Sequence, residues 1–300
     1  MPELPEVETL RRGLEREVTN RRIVGVSVAN AKILKGQTEA EFRSRVEQTR
    51  IYEVSRRGKY LLLALGDAPR SGTPETAATA GNTPEDSLFL CVHLKMRGQL
   101  LIRPASEEPG PYHCISLFLD NDRVIRFHDM WTWGEIRALT GGELAQVAGL
   151  AGMGEEPLTL QWNGTRLRAK LAGRKSAIKV ALLDQSVVAG VGNIYADESL
   201  YRSGIHPQRI AGSLTEDEAN RLAQTVQTVL GEAVNGGGTT SEEYVDLHGT
   251  AGRYTPDVYD RGGQPCRKCQ TVLTRIRLGG RGTVFCAQCQ PSDAAQQETK

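Results

Sequence analysis

The residues best equipped for chemistry are the first eight, Met1-Pro2-Glu3-Leu4-Pro5-Glu6-Val7-Glu8. Met1 precedes a small residue, so its removal is expected, leaving Pro2 with a free secondary amine. An α-amine titrates near ~8 when unperturbed, so it is partly neutral and nucleophilic at physiological pH. Attack by a proline nitrogen on a carbon of aldehyde character gives an iminium with no N–H to lose. That cation is a lasting electron sink and eases elimination at neighbouring carbons. Glu3 adjoins the amine as a ready acid or base. A proline-rich leader before an amphipathic helix accounts for the same residues without chemistry, and their physics alone favours that reading.

Two further constellations could carry chemistry. Cys266, Cys269, Cys286 and Cys289 form two C-x2-C pairs sixteen residues apart. Four thiolates so spaced satisfy tetrahedral zinc and leave no position for water, so one structural Zn2+ is expected, with no organic cofactor. Cys91 and Cys114 stand alone in apolar strand patterns and read as small core residues. In Gly190-Val191-Gly192-Asn193, two glycines let backbone N–H groups approach an oxyanion at a helix start, and Asn193 adds a side-chain donor. Alone, the loop is equally a plain helix connection.

Regular elements must position these groups. Pro5 suits a first helical turn, Glu6 and Glu8 suit its positive end, and Val7, Leu10, Leu14 and Val18 recur at helical spacing. Such a helix would aim its partial positive charge at the amine and lower its pKa. Next come a strand at 23–28, a short helix at 42–45, and strands at 52–55 and 60–65 flanking the basic turn Arg56-Arg57-Gly58-Lys59. Residues 66–87 lack periodicity and read as a mobile insertion. Strands resume at 88–93, turn at Lys95-Met96-Arg97-Gly98 and return through Leu100 and Ile102; a further hairpin joins 115–119 to 124–127 through Asp120-Asn121-Asp122. Repeated short strands with one apolar face imply a β-sandwich. Residues 140–157 read as a linker. Helices follow at 176–183, capped by Ser176, at 194–201, and from the Thr215 capping box to about Val234, ended by Gly236-Gly237-Gly238. Residues 239–259 suggest a lid loop, strands at 272–278 and 283–285 surround Gly279-Gly280-Arg281-Gly282, and 291–300 form a disordered tail.

Composition sets the outer limits. Three hundred residues with 39% hydrophobic content suggest about two domains. Net charge is only +1, so a nucleic-acid surface must come from segregated charge. Residues 261–281 carry Arg261, Arg267, Lys268, Arg275, Arg277 and Arg281 without an acid, whereas 141–157 carry Glu143, Glu155 and Glu156 without a base. No apolar stretch approaches the ~20 residues of a membrane span and the amino terminus is too charged for a signal peptide, so the cytosol is expected.

The leader PELPEVE, the stretch AGVGNIYADESLYRSGIHP and the four-cysteine ribbon together resemble bacterial formamidopyrimidine-DNA glycosylase, over Pro2 to about Gln290. The resemblance implies an α+β protein of two domains. Its parts would be an N-terminal catalytic β-sandwich (1–139), a linker (140–160), a helix-two-turn-helix module (161–238), a lesion-capping loop (239–259), a zinc finger (260–290) and a tail. It implies a monomeric glycosylase and abasic-site lyase acting on double-stranded DNA with oxidised purines (8-oxoguanine, formamidopyrimidines) or abasic sites. Pro2 would attack C1′, Glu3 manage protons, Glu6 orient, and Lys59 and Arg281 assist β,δ-elimination. His93 and Met96 lie in His93-Leu94-Lys95-Met96-Arg97-Gly98, similar to the family's HLxMxG, whose methionine fills the gap left by an everted base. His113, Lys175, Lys179 and Asn193 match family DNA-contact positions. Asp129-Met130-Trp131-Thr132-Trp133-Gly134 departs from DxRRFG: Trp133 can stack as the phenylalanine does, but Trp131 replaces the arginine that reads the opposite base. Core packing is the other reading of both tryptophans. An endonuclease VIII-like enzyme for oxidised pyrimidines is a rival, opposed by Leu4; so is a lesion-binding protein without chemistry, opposed by Pro2, Glu3 and Lys59.

Overall fold

Leu4, Val7, Leu10, Leu14 and Val18 fall on one stripe, and all five are buried in helix α1 (Leu4–Val18), which Pro5 opens as expected. A computed structural model of the chain describes residues 1–66, 85–241 and 244–292. Most of the expected insertion, at 67–84, lies outside them, as do 242–243 of the expected capping loop and 293–300 of the expected tail. The chain forms two compact units, Met1–Ala151 with Gly237–Arg253, and Gly152–Gly236 with Tyr254–Lys300. Among the described residues no helix is long and apolar enough to cross a membrane.

In the first unit, alternating apolar residues form β1 (Ile23–Val28), β2 (Ile51–Arg57), β3 (Tyr60–Leu65), β4 (Leu88–His93), β5 (Gln99–Pro104), β6 (His113–Leu119), β7 (Arg123–His128) and β8 (Glu135–Thr140). They make two antiparallel four-stranded sheets, ordered β1-β6-β7-β5 and β2-β3-β4-β8. Leu63, Leu90, Val92 and Ile136 of one sheet join Leu100, Ile115, Leu117 and Phe127 of the other in a single core, the expected β-sandwich. The hairpins β2–β3 and β6–β7 form as expected. The expected return of β4 into β5 does not, since β4 pairs with β3 and β8 while β5 pairs with β7. Residues 94–98 instead carry the chain from one sheet to the other. Alternation marks a strand but not its partner. Gly98 is required in this crossing, because a Cβ there would stand 2.5 Å from the Leu94 carbonyl oxygen.

Local capping lengthens one element and adds another. Thr38 and Glu41 close a capping box that extends the expected 42–45 helix to α2 (Glu39–Val46). Thr140 opens a further helix, α3 (Gly141–Ala145), at the start of the expected 140–160 linker, and the boundary between the units, after Ala151, falls inside that linker. The expected lid region is divided. Residues 237–253 belong to the first unit, where Tyr244 and Leu247 join the sandwich core and the Leu247 carbonyl accepts the Ile102 N–H at 2.9 Å.

The second unit contains α4 (Gly164–Leu171), α5 (Ile178–Leu183), α6 (Asn193–Ser203), α7 (Glu216–Asn235) and the hairpin of β9 (Thr274–Leu278) and β10 (Arg281–Phe285). In α7 the Thr215 box and the buried face of Ala219, Leu222, Ala223, Val226, Val229 and Leu230 agree with the sequence. The expected Ser176 cap is absent: α5 starts two residues later, and the Ser176 carbonyl accepts the Ala211 N–H instead. Residues 254–259 are gathered by the buried Glu198, whose carboxylate accepts from Tyr254 Oη and from the N–H groups of Asp257, Val258 and Tyr259.

Candidate active site and nucleic-acid interface

Pro2 and Glu3 are buried immediately ahead of α1. Glu6 braces them: its Oε2 accepts the Glu3 N–H at 2.8 Å and its Oε1 accepts the Thr239 N–H at 3.0 Å. Both carboxylate oxygens therefore hold backbone, one in the first turn and one in the returning segment. The chain's terminal nitrogen, on Met1 and one residue ahead of the Pro2 nitrogen, has its pKa lowered by burial. Glu3 and Glu6 oppose that shift, while Lys59 and Arg97 reinforce it. Four charged side chains from three segments thus act on one amine.

Lys59 is buried in the two-residue turn between β2 and β3, where Gly58 adopts φ +54°. Arg56 ties this turn to α1, donating to the Gly58 carbonyl at 2.9 Å and to Glu8 Oε2 at 3.1 Å. Burial alone would raise the Glu8 pKa, but hydrogen bonds and charge from Arg11, Arg56 and Arg12 bring it below the usual carboxylate value.

One register row, Tyr60 to His93 to Glu135, crosses β3, β4 and β8. The Lys59 turn, residues 94–98 and residues 131–134 therefore leave the sheet at the same rim. His93 was expected at DNA, but it is buried, stands edge-on to Tyr60 at 4.4 Å, and accepts the Lys95 N–H on Nδ1 at 2.9 Å. Burial, then Lys95 and Lys59, push its pKa down to about 3, so a neutral imidazole pins the turn bearing Met96. Met96 itself is half-buried.

Core packing does not hold for the tryptophans: Trp131 is 40% and Trp133 55% exposed, their rings 4.8 Å apart and tilted by 47°. Buried Asp129 builds their loop by accepting the Trp131 N–H at 3.0 Å and the Gly134 N–H at 2.6 Å. His113 is half-buried, hydrogen-bonded through Nε2 to Ser116 Oγ at 2.8 Å and edge-on to His128.

In the second unit Asn193 opens α6 beside Gly192. Gln185 shapes this loop, accepting the Gly190 N–H at 2.8 Å and donating to the Val191 carbonyl at 2.9 Å. Oδ1 of Asn193 is buried without a hydrogen-bond partner. Lys175 is exposed. Lys179 is not available to DNA: it is fully buried, 2.7 Å from Asp197 Oδ1, and donates to the Gly282 carbonyl and Thr283 Oγ1, each at 2.8 Å. The expectation came from the family resemblance, and the buried Asp197 that draws Lys179 inward lies on another helix, where no local pattern announces it. Asp197 Oδ2 also accepts the Val284 N–H at 3.0 Å, so this buried pair clamps β10 to α5 and α6. Arg281 is exposed as the first residue of β10, beside the Gly279-Gly280 turn. Sequence reasoning missed Asp129, Gln185, Asp197 and Thr239; only Asp129, heading its loop, carried a local turn signal.

The four cysteine sulfurs all lie within 4.8 Å of one another. Sγ separations of 3.4 Å (Cys269–Cys286), 3.5 Å (Cys269–Cys289) and 3.9 Å (Cys266–Cys289) bracket the edge of about 3.8 Å that a tetrahedron of ~2.3 Å Zn–S bonds requires. Four thiolates fill every position, so the donor set fits one structural zinc.

The family model for the formamidopyrimidine-DNA glycosylase N-terminal domain matches residues 1–136, that for the corresponding H2TH domain 153–244, and that for a zinc finger found in FPG and IleRS 263–291. Sandwich, helical module and zinc hairpin thus define a DNA glycosylase of base excision repair that acts on damaged bases. Formamidopyrimidine-DNA glycosylases of Geobacter sulfurreducens (41% identical) and Desulfitobacterium hafniense strain DSM 10664 / DCB-2 (39%) align over 97% of this chain and 100% of their own. The chain belongs to the formamidopyrimidine-DNA glycosylase family. Similar solved structures include a Lactococcus lactis FPG glycine-to-proline mutant with Fapy-dG containing DNA (TM-score 0.84) and Lactococcus lactis Fpg with DNA containing an abasic site (TM-score 0.83), each 27% identical and covering 97% of this chain and 100% of theirs.

Proposed function

We propose that the protein is a bifunctional glycosylase and abasic-site lyase that excises oxidised purines from double-stranded DNA in the bacterial cytosol, acting as a monomer. The observation that carries this reading is the placement of buried Pro2 and Glu3 at the start of α1, braced by both oxygens of Glu6, with Glu3, Glu6, Lys59 and Arg97 all acting on the amine at this end of the chain. Burial there disfavours the charged form of an amine, and the neutral form is the nucleophile. After removal of Met1, the Pro2 nitrogen bonds to C1′ of the everted nucleotide as the C1′–base bond breaks and the base takes up a proton. The ring-opened sugar is then held as an iminium, with Glu3 moving protons at the sugar. Loss of a C2′ proton expels the 3′ phosphate, and a second elimination expels the 5′ phosphate, leaving a one-nucleoside gap. Lys59 assists the first elimination, and Arg281 holds the phosphate beside the lesion. Glu6 is a positioning residue that fixes the backbone on either side of the amine. Met96, Trp131 and Trp133 fill the emptied stack, and Lys175, Asn193 and His113 hold the backbone; zinc, when bound, stiffens the hairpin and has no part in bond breaking.

Borohydride should trap the native protein covalently on a duplex containing formamidopyrimidine, with mass spectrometry placing the adduct on Pro2. Pro2→Gly, which keeps only a primary amine, should be severely impaired. Excision without any trapped adduct, or by a protein that retains Met1, would overturn the mechanism. Preferential cutting of oxidised pyrimidines would assign the substrate class to the rival branch.

A further inference from the structure

Three features meet at the rim where the Lys59 turn leaves its sheet. Met130, Trp131 and Trp133 are exposed large apolar residues clustered in one loop, at 50%, 40% and 55%. They are not slack surface, because Asp129 fixes their loop through two backbone N–H groups. Arg97, on the neighbouring crossover, lies over the Trp131 ring with Cζ 5.3 Å from its centroid, close to the cation–π arrangement. The same Arg97 contributes to the electrostatics of the terminal amine, so the patch adjoins the chemistry.

Taking the glycosylase reading as given, we infer that Trp131 and Arg97 together receive the base left without a partner opposite the everted nucleotide, and that Arg97 is the residue that discriminates among the four. Removing a nucleotide from a duplex leaves a gap and a partnerless base, and aromatic faces accept any base because every base has a π-face. Indole stacks but brings a single N–H donor. A guanidinium brings a planar fork of donors and no acceptor, which suits a base edge with adjacent acceptors. On the edge freed by the missing partner, cytosine presents adjacent O2 and N3 acceptors. Its amino donor lies to one side of that pair, whereas adenine offers the single acceptor N1 and guanine and thymine carry a ring N–H there, so none of the three presents two adjacent acceptors. Stacking on Trp131 therefore holds the orphan, and the Arg97 fork favours cytosine.

The test is single-turnover excision of one lesion placed opposite cytosine, adenine, guanine and thymine in one sequence context. The native protein should act fastest opposite cytosine, by about tenfold over the poorest base, the scale of one good bidentate contact. Arg97→Lys keeps the positive charge that faces the amine but loses the fork, so the ratio should collapse toward one; any change in chemistry common to all four duplexes cancels from it. Trp131→Ala should weaken binding of all four duplexes by about tenfold, and Trp131→Phe should restore it. A native protein indifferent to the opposing base, an Arg97→Lys variant with the full ratio, or unchanged affinity in Trp131→Ala would overturn the inference. No excision from any duplex would instead remove the functional reading, and this inference with it.

Discussion

Glu6 illustrates how one carboxylate can serve an amine without reacting. Its two oxygens accept two backbone N–H groups, and its charge raises the pKa of the neighbouring amine. Glu6→Gln should therefore destabilise the protein by roughly 1–3 kcal/mol, since an amide NH2 must then face a backbone donor. On the proposed mechanism, in which the amine attacks in its neutral form, it should also move the acidic limb of the pH–rate profile to lower pH, because removing a negative neighbour eases loss of the amine's proton. Stopped-flow trapping across pH reads the limb, and thermal unfolding reads the stability. His93 makes a separate prediction. It is held neutral with a pKa near about 3, so below the ordinary histidine value the unfolded chain binds a proton that the folded chain does not. Stability should fall as pH drops from about 6.5 towards 3, by roughly 2–3 kcal/mol at pH ~4.5, and His93→Gln should remove that component of the slope in denaturant titrations.

At the scale of elements, the second unit depends on a clamp that a linear pattern does not announce. Lys179 on α5 and Asp197 on α6 hold each other, and between them take up the Gly282 carbonyl, Thr283 Oγ1 and the Val284 N–H of β10. Burial pulls the Asp197 carboxyl upward in pKa, and the Lys179 ammonium and the Val284 N–H oppose that pull. Lys179→Met strands a buried carboxylate and should cost about 3–5 kcal/mol, whereas pairing it with Asp197→Leu should recover much of the loss. Hydrogen exchange at the Val284 amide is the local readout; equal protection in the single variant and the native protein would refute the clamp. The element-level misreading of β4 and β5 as a hairpin has a related cause. Apolar alternation records which face is buried, whereas the partner strand is chosen by packing between sheets, here around Gly98 and Phe127.

For the whole molecule, zinc and salt separate the contributions of the two units. Chelation should unfold the β9–β10 hairpin and abolish DNA binding while amide protection in the β-sandwich persists; unchanged affinity without metal would refute the dependence. Log affinity against log salt should fall by about 0.9 for each phosphate neutralised, and Lys175→Ala or Arg281→Ala should each remove about one such increment, whereas the buried Lys179 should contribute none. From the amino-acid sequence, α1, the capping box of α7, most strands and the four-thiolate site were legible, because each rests on a short-range period, cap or spacing, whereas Pro2, Glu3, Lys59 and Arg281 stood out only through the family resemblance. Tertiary structure alone decided that Lys179 and His93 face inward, that Trp131 and Trp133 face outward with Arg97 over one of them, and that residues 237–253 return to the first unit to brace Glu6 through Thr239. The physical reason is that burial and pairing are set by neighbours distant along the chain, so a lysine or a tryptophan has the same local pattern whether it meets an aspartate, a guanidinium or water.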